Sequence, residues 1–196
     1  MSKLSFEAPI KYTYDPVVFG DFVDVQLMES KNMYRESRAK YVKLFADTSR
    51  CYDMSYMFYK CLSLTGVEGL NTSSCTNMSY MFWGCQSLET LPILEAGNVS
   101  SINEFFRGEY EGSCALKNFG GFKDLGKWSS ISGISKNFLD RAYSLTHESL
   151  MNVINNLYDR KANGLSTLTI KFGTTHLAKL TDEEKAIAVN KGWTLS

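Results

Sequence analysis

The sequence has little of what catalysis requires. It contains only two histidines, His147 and His176, and neither has a cysteine, or a serine in an elbow motif, close by to form a nucleophile pair. No glycine loop of the phosphate-binding type occurs. The acidic run at residues 182–184 is explained by the favourable position of carboxylates at a helix N-terminus. We therefore predict a protein that is not an enzyme and that uses no cofactor and no metal.

A charge excess is also missing. Lysine plus arginine and aspartate plus glutamate number 21 each, so the formal net charge is zero. Binding to nucleic acid requires a basic footprint that this composition lacks. No run approaches the roughly 18 consecutive apolar residues of a membrane span, and the N-terminus lacks the apolar segment of a secretory signal. We expect no nucleic-acid partner, no membrane insertion, and a chain that stays in the cytosol or leaves it by lysis.

What the chain does contain is one stretch that occurs twice. Residues 54–64 return as residues 78–88, at an offset of 24, and both follow the pattern Met-Ser-Tyr-Met-Phe-x-x-Cys-x-Ser-Leu. A third, altered copy keeps Phe105, Phe106 and Gly108 in the same register. A constant period of 20–29 residues is typical of leucine-rich-repeat solenoids, in which each unit stacks on the next.

Each copy predicts a short helix followed by a strand. The apolar residues of the first copy recur at i, i+3, i+4 and i+7, the spacing of one helix face: Met54, Met57, Phe58 and Cys61. Asp53, Asn77 and Ser101 precede the three copies as N-cap candidates. Residues 41–45 form the first predicted strand, and successive strands should pair in a narrow parallel sheet. Burial of the few apolar side chains in one copy contributes about 1.5–3 kcal/mol each, while ordering its backbone costs about 1–2 kcal/mol per residue. A single copy is therefore unstable alone, and the copies must stack.

The cysteines fall into two positions of the repeat, Cys51 and Cys75 in one, Cys61, Cys85 and Cys114 in the other. The first position is filled by Val99 in the third copy, which indicates a small apolar core position. An odd count disfavours a disulfide framework, and the spacing lacks the CxxC of a zinc knuckle. We predict buried structural thiols, with disulfides and a metal site as the less favoured alternatives.

The chain divides into three segments. Residues 1–40, with an alternating strand pattern at 23–27, are either an N-terminal β-rich cap or a docking segment, and residues 41–116 are the repeat coils. Residues 117–196 form an αβαβ C-terminal cap. The predicted fold class is therefore α/β, a leucine-rich-repeat-like solenoid with a narrow parallel sheet and a cap at each end.

The C-terminal segment carries a second echo, because residues 145–148 resemble residues 180–183. Each opens a predicted helix, the first ending near residues 163–164 and the second starting with a capping box of Thr181 and Glu184. Residues 168–172 and 193–195 are predicted strands. Residues 117–140 are an irregular connector with Trp128 in the core and a strand at 138–139, and His176 lies in a loop.

One predicted surface feature has the residue types of a binding site. Tyr56 and Tyr80 share one repeat position, and Tyr59 and Trp83 share another, both off the apolar face. Stacked copies would align them into an aromatic ladder able to bind a partner protein or a sugar. The alternative is that each ring only completes the packing of the neighbouring copy. An insertion at residues 109–113 adds a loop at the rim.

The sequence of residues 77–88 resembles the short leucine-rich repeats of BspA-like bacterial surface proteins, and residues 47–116 follow that pattern. The segment from residue 116 to residue 195 is similar to C-terminal modules of phage and prophage tail or baseplate proteins. The first resemblance implies a scaffold or adhesion surface, and the second implies a virion component. The absence of a signal and the few repeats fit a virion better than a cell wall.

Three functions follow as hypotheses. The first is a non-enzymatic virion structural protein of tail, baseplate or capsid surface, assembled in the host cytoplasm, with other virion proteins as partners. The second is an adhesion module on a bacterial cell surface, whose ladder contacts a host receptor or glycan. The third and least favoured is a thiol-dependent hydrolase.

Overall fold

The computed structural model describes residues 30–44, 47–108, 114–136 and 138–196, together with the backbone of residues 17–18. It is a mixed α/β protein with small parallel sheets and few helices, as predicted at that level. The strands are β1 (Val17–Val18), β2 (Tyr41–Lys43), β3 (Gly66–Glu68), β4 (Thr90–Leu91), β5 (Leu94–Glu95), β6 (Asn118–Phe119), β7 (Phe122–Lys123), β8 (Leu168–Ile170) and β9 (Trp193–Leu195). The helices are α1 (His147–Asn156), α2 (Thr174–Leu177) and α3 (Asp182–Asn190). The strand predicted at residues 23–27 and the insertion at 109–113 lie outside the described residues.

The predicted parallel sheet is confirmed. Its strand order is β1-β2-β3-β4-β6, and β5–β7 and β8–β9 form two further parallel pairs. Val42 pairs with Val67 across β2 and β3, and Leu91 pairs with Phe119 across β4 and β6. These side chains are buried, whereas the alternate residues of the strands are mostly turned outward. The strands β2, β3, β4 and β6 therefore place one face on the core, as strand geometry requires.

The predicted helix within each copy is wrong, because residues 54–61 form a series of turns. The amides of Met54, Tyr56, Phe58 and Lys60 donate to carbonyls of the following copy, at 3.0, 3.1, 2.9 and 2.7 Å. Tyr56 and Lys60 have φ of 58° and 57°, the left-handed region, which a right-handed helix excludes. The spacing i, i+3, i+4, i+7 thus arises from a turn series whose amides bond between copies rather than along a helix.

Two of the three residues predicted as N-caps close a local turn instead, whereas Ser101 bonds to the side chains of Ser79 and Asn103. The Asp53 carboxylate accepts the amide of Ser55 at 2.8 Å, and the Asn77 side chain accepts the amide of Ser79 at 3.0 Å. This side-chain bond to the amide two residues on is the Asx turn. The expected acceptor role is therefore present without the helix.

The repeats also begin earlier than predicted. The amides of Ser30, Asn32, Tyr34 and Glu36 donate to carbonyls of the next copy just as those of residues 54–60 do. Asn32 and Glu36 have φ of 61° and 58°, which matches the two left-handed positions of the following copy. Residues 30–38 thus form another copy of the turn series, on the N-terminal side of the boundary predicted at residue 40.

The copies share one interior. Met57 and Met81 are both fully buried and belong to the same core cluster. At one position of the repeat, ring stacks on ring from copy to copy: Tyr34 on Phe58 and Phe58 on Phe82, each at 5.2 Å between centroids. The core then continues into the C-terminal segment, where Trp193 is buried.

The C-terminal helices begin as predicted. The Thr146 side chain accepts the amide of Ser149, and Thr181 and Glu184 form the predicted capping box. The first helix, however, ends at Asn156 rather than near residues 163–164. Within the described chain, no helix is long and apolar enough to cross a lipid bilayer.

Three further predictions in this segment are wrong. A 3-10 helix at Leu139–Arg141 replaces the predicted strand, and His176 lies in α2 rather than in a loop. Trp128 is 48% exposed, and the indole that packs beside Gly126 in the core is that of Trp193. A Cβ at Gly126 would lie only 2.2 Å from that indole.

Candidate interaction surface

The turn series of residues 30–38, 53–64, 77–88 and 101–108 form one surface, which we call the turn face. Two positions of the turn series point their side chains out of the core and repeat at an offset of 24. The first position, column A, holds Asn32, Tyr56, Tyr80 and Glu104. The second, column B, holds Arg35, Tyr59, Trp83 and Arg107. The four predicted site residues are the two central members of each column.

The structure brings these four side chains together. The rings of Tyr56 and Tyr80 stack at 4.8 Å and 8°, and those of Tyr59 and Trp83 stack at 4.6 Å and 10°. Tyr56 also contacts Tyr59 at 5.5 Å, so the two columns touch. All four are half-buried. Each ring therefore packs on its neighbour and still reaches solvent, and its role in binding stays a prediction.

The backbone explains how the rings leave the core. In column A, Tyr56, Tyr80 and Glu104 have left-handed φ values of 58°, 60° and 54°. Tyrosine and glutamate rarely adopt this conformation, whereas asparagine, which column A has at Asn32, adopts it more readily. This conformation costs roughly 1–2 kcal/mol per residue. The amide bonds between copies hold it in place, and the side chain is directed away from the interior.

Cations cover the open side of column B. The Arg35 guanidinium lies 4.8 Å from the centroid of the Tyr59 ring. Because Arg35 belongs to the copy before Tyr59 and Trp83 to the copy after it, we infer that the two cover opposite faces of the ring. The Lys60 ammonium lies 5.5 Å from the Trp83 ring and 5.8 Å from the Tyr59 ring. Gly84, at the position of Lys60 in the next copy, leaves room for that side chain, since a Cβ there would lie 3.3 Å from Lys60. Both faces of Tyr59 are thus covered, and this ring presents mainly its edge.

The ends of the columns carry ion pairs. Arg35 pairs with Glu36 at 3.3 Å, and Arg107 pairs with Glu104 at 3.1 Å. Burial raises the pKa of Tyr80, and the nearby Tyr56 and Glu104 act in the same direction. The Tyr80 hydroxyl is therefore protonated at neutral pH and can donate or accept a hydrogen bond.

The three charged side chains that flank the rings were missed by sequence reasoning. Arg35 and Arg107 lie 24 residues before Tyr59 and 24 residues after Trp83. Extending the period by one step in each direction would have found them. The contact of Lys60 with two rings depends on the turn geometry, and no sequence signal indicates it.

The predicted structural thiols are confirmed, since all five cysteines are buried and free. Cys61 donates to the Tyr34 carbonyl at 2.9 Å, and Cys85 donates to the Phe58 carbonyl at 3.0 Å. Burial raises the pKa of Cys61 and of Cys75 to about 12, and that of Cys85 well above its ordinary value. The thiolate, which is the reactive form, is therefore disfavoured.

The two histidines are held in structural contacts. His147 Nε2 lies 2.8 Å from a Glu184 carboxylate oxygen and joins α1 to α3. His176 is fully buried, its Nε2 lies 3.1 Å from the Leu139 carbonyl, and burial lowers its pKa. Among the described residues, no group of three or more His, Cys, Asp or Glu side chains could hold a metal ion.

Comparison with known proteins places the repeats in context. Residues 26–111 match the family described as Mycoplasma protein of unknown function, DUF285. This family is related to the BspA-like repeats, so the resemblance is confirmed at that level. The matched segment contains the whole turn face. No curated protein and no solved structure gives a significant match.

Proposed function

We propose that this chain is a non-enzymatic structural protein that presents a leucine-rich-repeat-like solenoid and contacts another protein through its turn face. The observation that carries the proposal is the pair of touching ring columns, of which column B ends in an arginine on each side. Tyrosine, tryptophan and arginine are the residue types that dominate binding energy at protein interfaces. An apolar centre with a polar rim is also the common anatomy of such interfaces.

The repeated hydrogen bonds support the solenoid. The amides of three successive turn series, from Ser30 to Gly84, donate at a constant offset to the series that follows, and the strands pair in parallel at offsets near 24. The C-terminal end also has the polar outer face that the last unit of a solenoid requires. Lys185 of α3 stands where α1 has the buried Leu150, which gives the last unit a more polar outer face.

The geometry of the rings favours a protein partner over a glycan. Sugar rings bind aromatic side chains by stacking on an exposed ring face, and here the faces of Tyr59 are covered by Trp83 and Arg35. The exposed edges and hydroxyls suit hydrogen bonds and side-chain contacts. The buried thiols and the two bonded histidines support a role without catalysis.

Asparagine substitutions test this function without disturbing the backbone. Tyr56→Asn and Tyr80→Asn place in column A the residue that the first copy already has there, and asparagine tolerates a left-handed φ. We expect a protein retained from a lysate of the source cells by the wild type to be lost from the double variant. Tyr52→Ala, an exposed tyrosine outside the columns, is the matched control. Equal retention by all three proteins would refute the proposal.

Two locations are compatible with such a scaffold. A virion component is supported by the similarity of residues 116–195 to phage tail modules. A module on a bacterial cell surface is the second candidate, supported by the match to a family related to BspA-like repeats. Detection of the chain in purified particles would select the first, and antibody labelling of intact uninfected cells would select the second.

A further inference from the structure

The turn face is basic in a chain that is neutral. Its segments contain five basic and three acidic residues, while the whole chain has 21 of each. The basic residues are Lys31, Arg35, Arg38, Lys60 and Arg107, and the acidic ones are Glu36, Asp53 and Glu104. The remaining residues therefore carry an excess of acidic side chains of the same size, and the excess positive charge lies in the segments that supply the rings.

The charge has a defined arrangement. Residues 77–88, which supply Tyr80 and Trp83, contain no charged residue, and most of the basic residues lie in the first copy. Arg35 and Arg107 close the two ends of column B, three copies apart. At about 4.8 Å per copy, their backbones lie about 14 Å apart. A neutral aromatic centre thus lies between two cationic ends.

The arginines can change partners. The side chains of Arg35 and Glu36 are 47% and 57% exposed, and those of Arg107 and Glu104 are 39% and 18% exposed, so the Arg35 pair is the more open of the two. Exposed ion pairs contribute about 0–1 kcal/mol. A carboxylate brought by a partner, and shielded from water by the contact, forms a stronger bidentate bond to the same guanidinium.

Resting on the proposed function, we propose that the turn face binds an extended acidic segment of a partner protein. An extended chain rises about 3.3 Å per residue, so two carboxylates four residues apart span about 13 Å. They reach Arg35 and Arg107 together, and the side chains between them lie on the edges of Tyr59 and Trp83. A nucleic acid fits less well, since the two faces of the Tyr59 ring are covered by Trp83 and Arg35 and cannot stack with a base.

A library of random 12-residue peptides displayed on phage tests the chemistry of the partner. It is selected in parallel on the full chain and on the Tyr56→Asn/Tyr80→Asn variant. We expect the peptides enriched by the wild type over the variant to be rich in aspartate and glutamate, with pairs spaced by four. Enrichment of neutral or basic peptides would overturn the inference and leave the proposed function standing. Absence of any difference between the two proteins would count against both.

Synthetic versions of the selected peptides then test the role of the arginines. We expect Arg35→Gln and Arg107→Gln each to weaken binding about ten-fold, the equivalent of one charge-assisted bond. The matched control is Lys43→Gln with Lys117→Gln, exposed lysines paired with glutamates on the sheet face, which should leave affinity unchanged. An equal loss of peptide affinity in the lysine control would refute the proposal that the turn face binds an acidic protein segment. So would a 20-nucleotide oligothymidylate that binds more tightly than the peptides and depends on Arg35.

Discussion

Replacement of Arg160 by methionine should be among the most destabilising single changes in the C-terminal segment. The side chain is fully buried. Its guanidinium donates to four backbone carbonyls, those of Gly126, Trp128, Ser129 and Ser166. The bonds to Trp128 and Ser166 are 2.7 and 2.8 Å long, and the guanidinium also lies 5.7 Å from the Trp193 ring. One side chain thus ties the connector to the loop before β8.

The expected magnitude follows from those contacts. In Arg160→Met, about three carbonyls lose a good donor at about 2 kcal/mol each. Burial of the methionine side chain returns about 2–3 kcal/mol. The net loss should be about 3–4 kcal/mol, a large part of the 5–15 kcal/mol that typically stabilises a domain.

Urea unfolding followed by tryptophan fluorescence measures this loss. With a slope of about 2 kcal/mol per molar urea, the midpoint of Arg160→Met should fall by about 1.5–2 M. The control is Lys161→Met, because the neighbouring lysine is exposed and its replacement should change stability by less than about 0.5 kcal/mol. If Arg160→Met lies within about 1 kcal/mol of this control, the carbonyl contacts do not hold the segment together.

Three further outcomes are expected. Glu36→Gly should stabilise the protein by about 1 kcal/mol in urea unfolding, because glycine relieves the left-handed φ of 58° at an exposed site; destabilisation would contradict the strain argument. In thiol titration with a disulfide reagent, the folded protein should react slowly at all five cysteines and the urea-unfolded protein rapidly, and one fast thiol in the folded state would revive the hydrolase hypothesis. Burial lowers the pKa of His176 in the folded protein. As pH falls below about 6.5, the unfolded chain therefore binds a proton at this residue before the folded chain does, and the free energy of unfolding should fall until the pH reaches the folded pKa. His176→Gln should reduce this loss between pH 7.5 and 5.5, and an identical pH profile would exclude the histidine as its source.

The fold was predictable where the same amino acids recur at a constant offset along the sequence. The strands at 66–68 and 90–91 pair at that offset, so the period alone predicted the parallel sheet. The helix was wrong because the inward residues of a turn series follow the same i, i+3, i+4, i+7 spacing. Gly84, at the position of Lys60, was the available sign of a left-handed backbone. Residues 30–38 escaped notice because their match to the repeat lies in backbone geometry and in little more than Met33 and Tyr34.

The candidate site divides in the same way. The four rings were predictable because a shared repeat position becomes a shared column once the copies stack. The covering of the Tyr59 ring by Arg35 was not, since it depends on side-chain conformations that the period does not determine. The same is true of Arg160, whose four acceptors lie 6–34 residues away in sequence. Contacts that cross unrelated segments leave no periodic signal.

The turn backbone separates the geometry of the surface from its chemistry. In each described copy, amide bonds between main chains hold the left-handed turns, and these bonds do not depend on the side chain that the turn carries. Column A accordingly carries asparagine, tyrosine and glutamate on one backbone conformation, and column B carries arginine, tyrosine and tryptophan. Substitution in a column should therefore alter what the turn face binds while changing stability only by the lost ring contacts, about 0.5–1.5 kcal/mol per pair. A scaffold of this kind can change partner without changing fold, which is the property that an interaction surface requires and that a buried catalytic centre does not have.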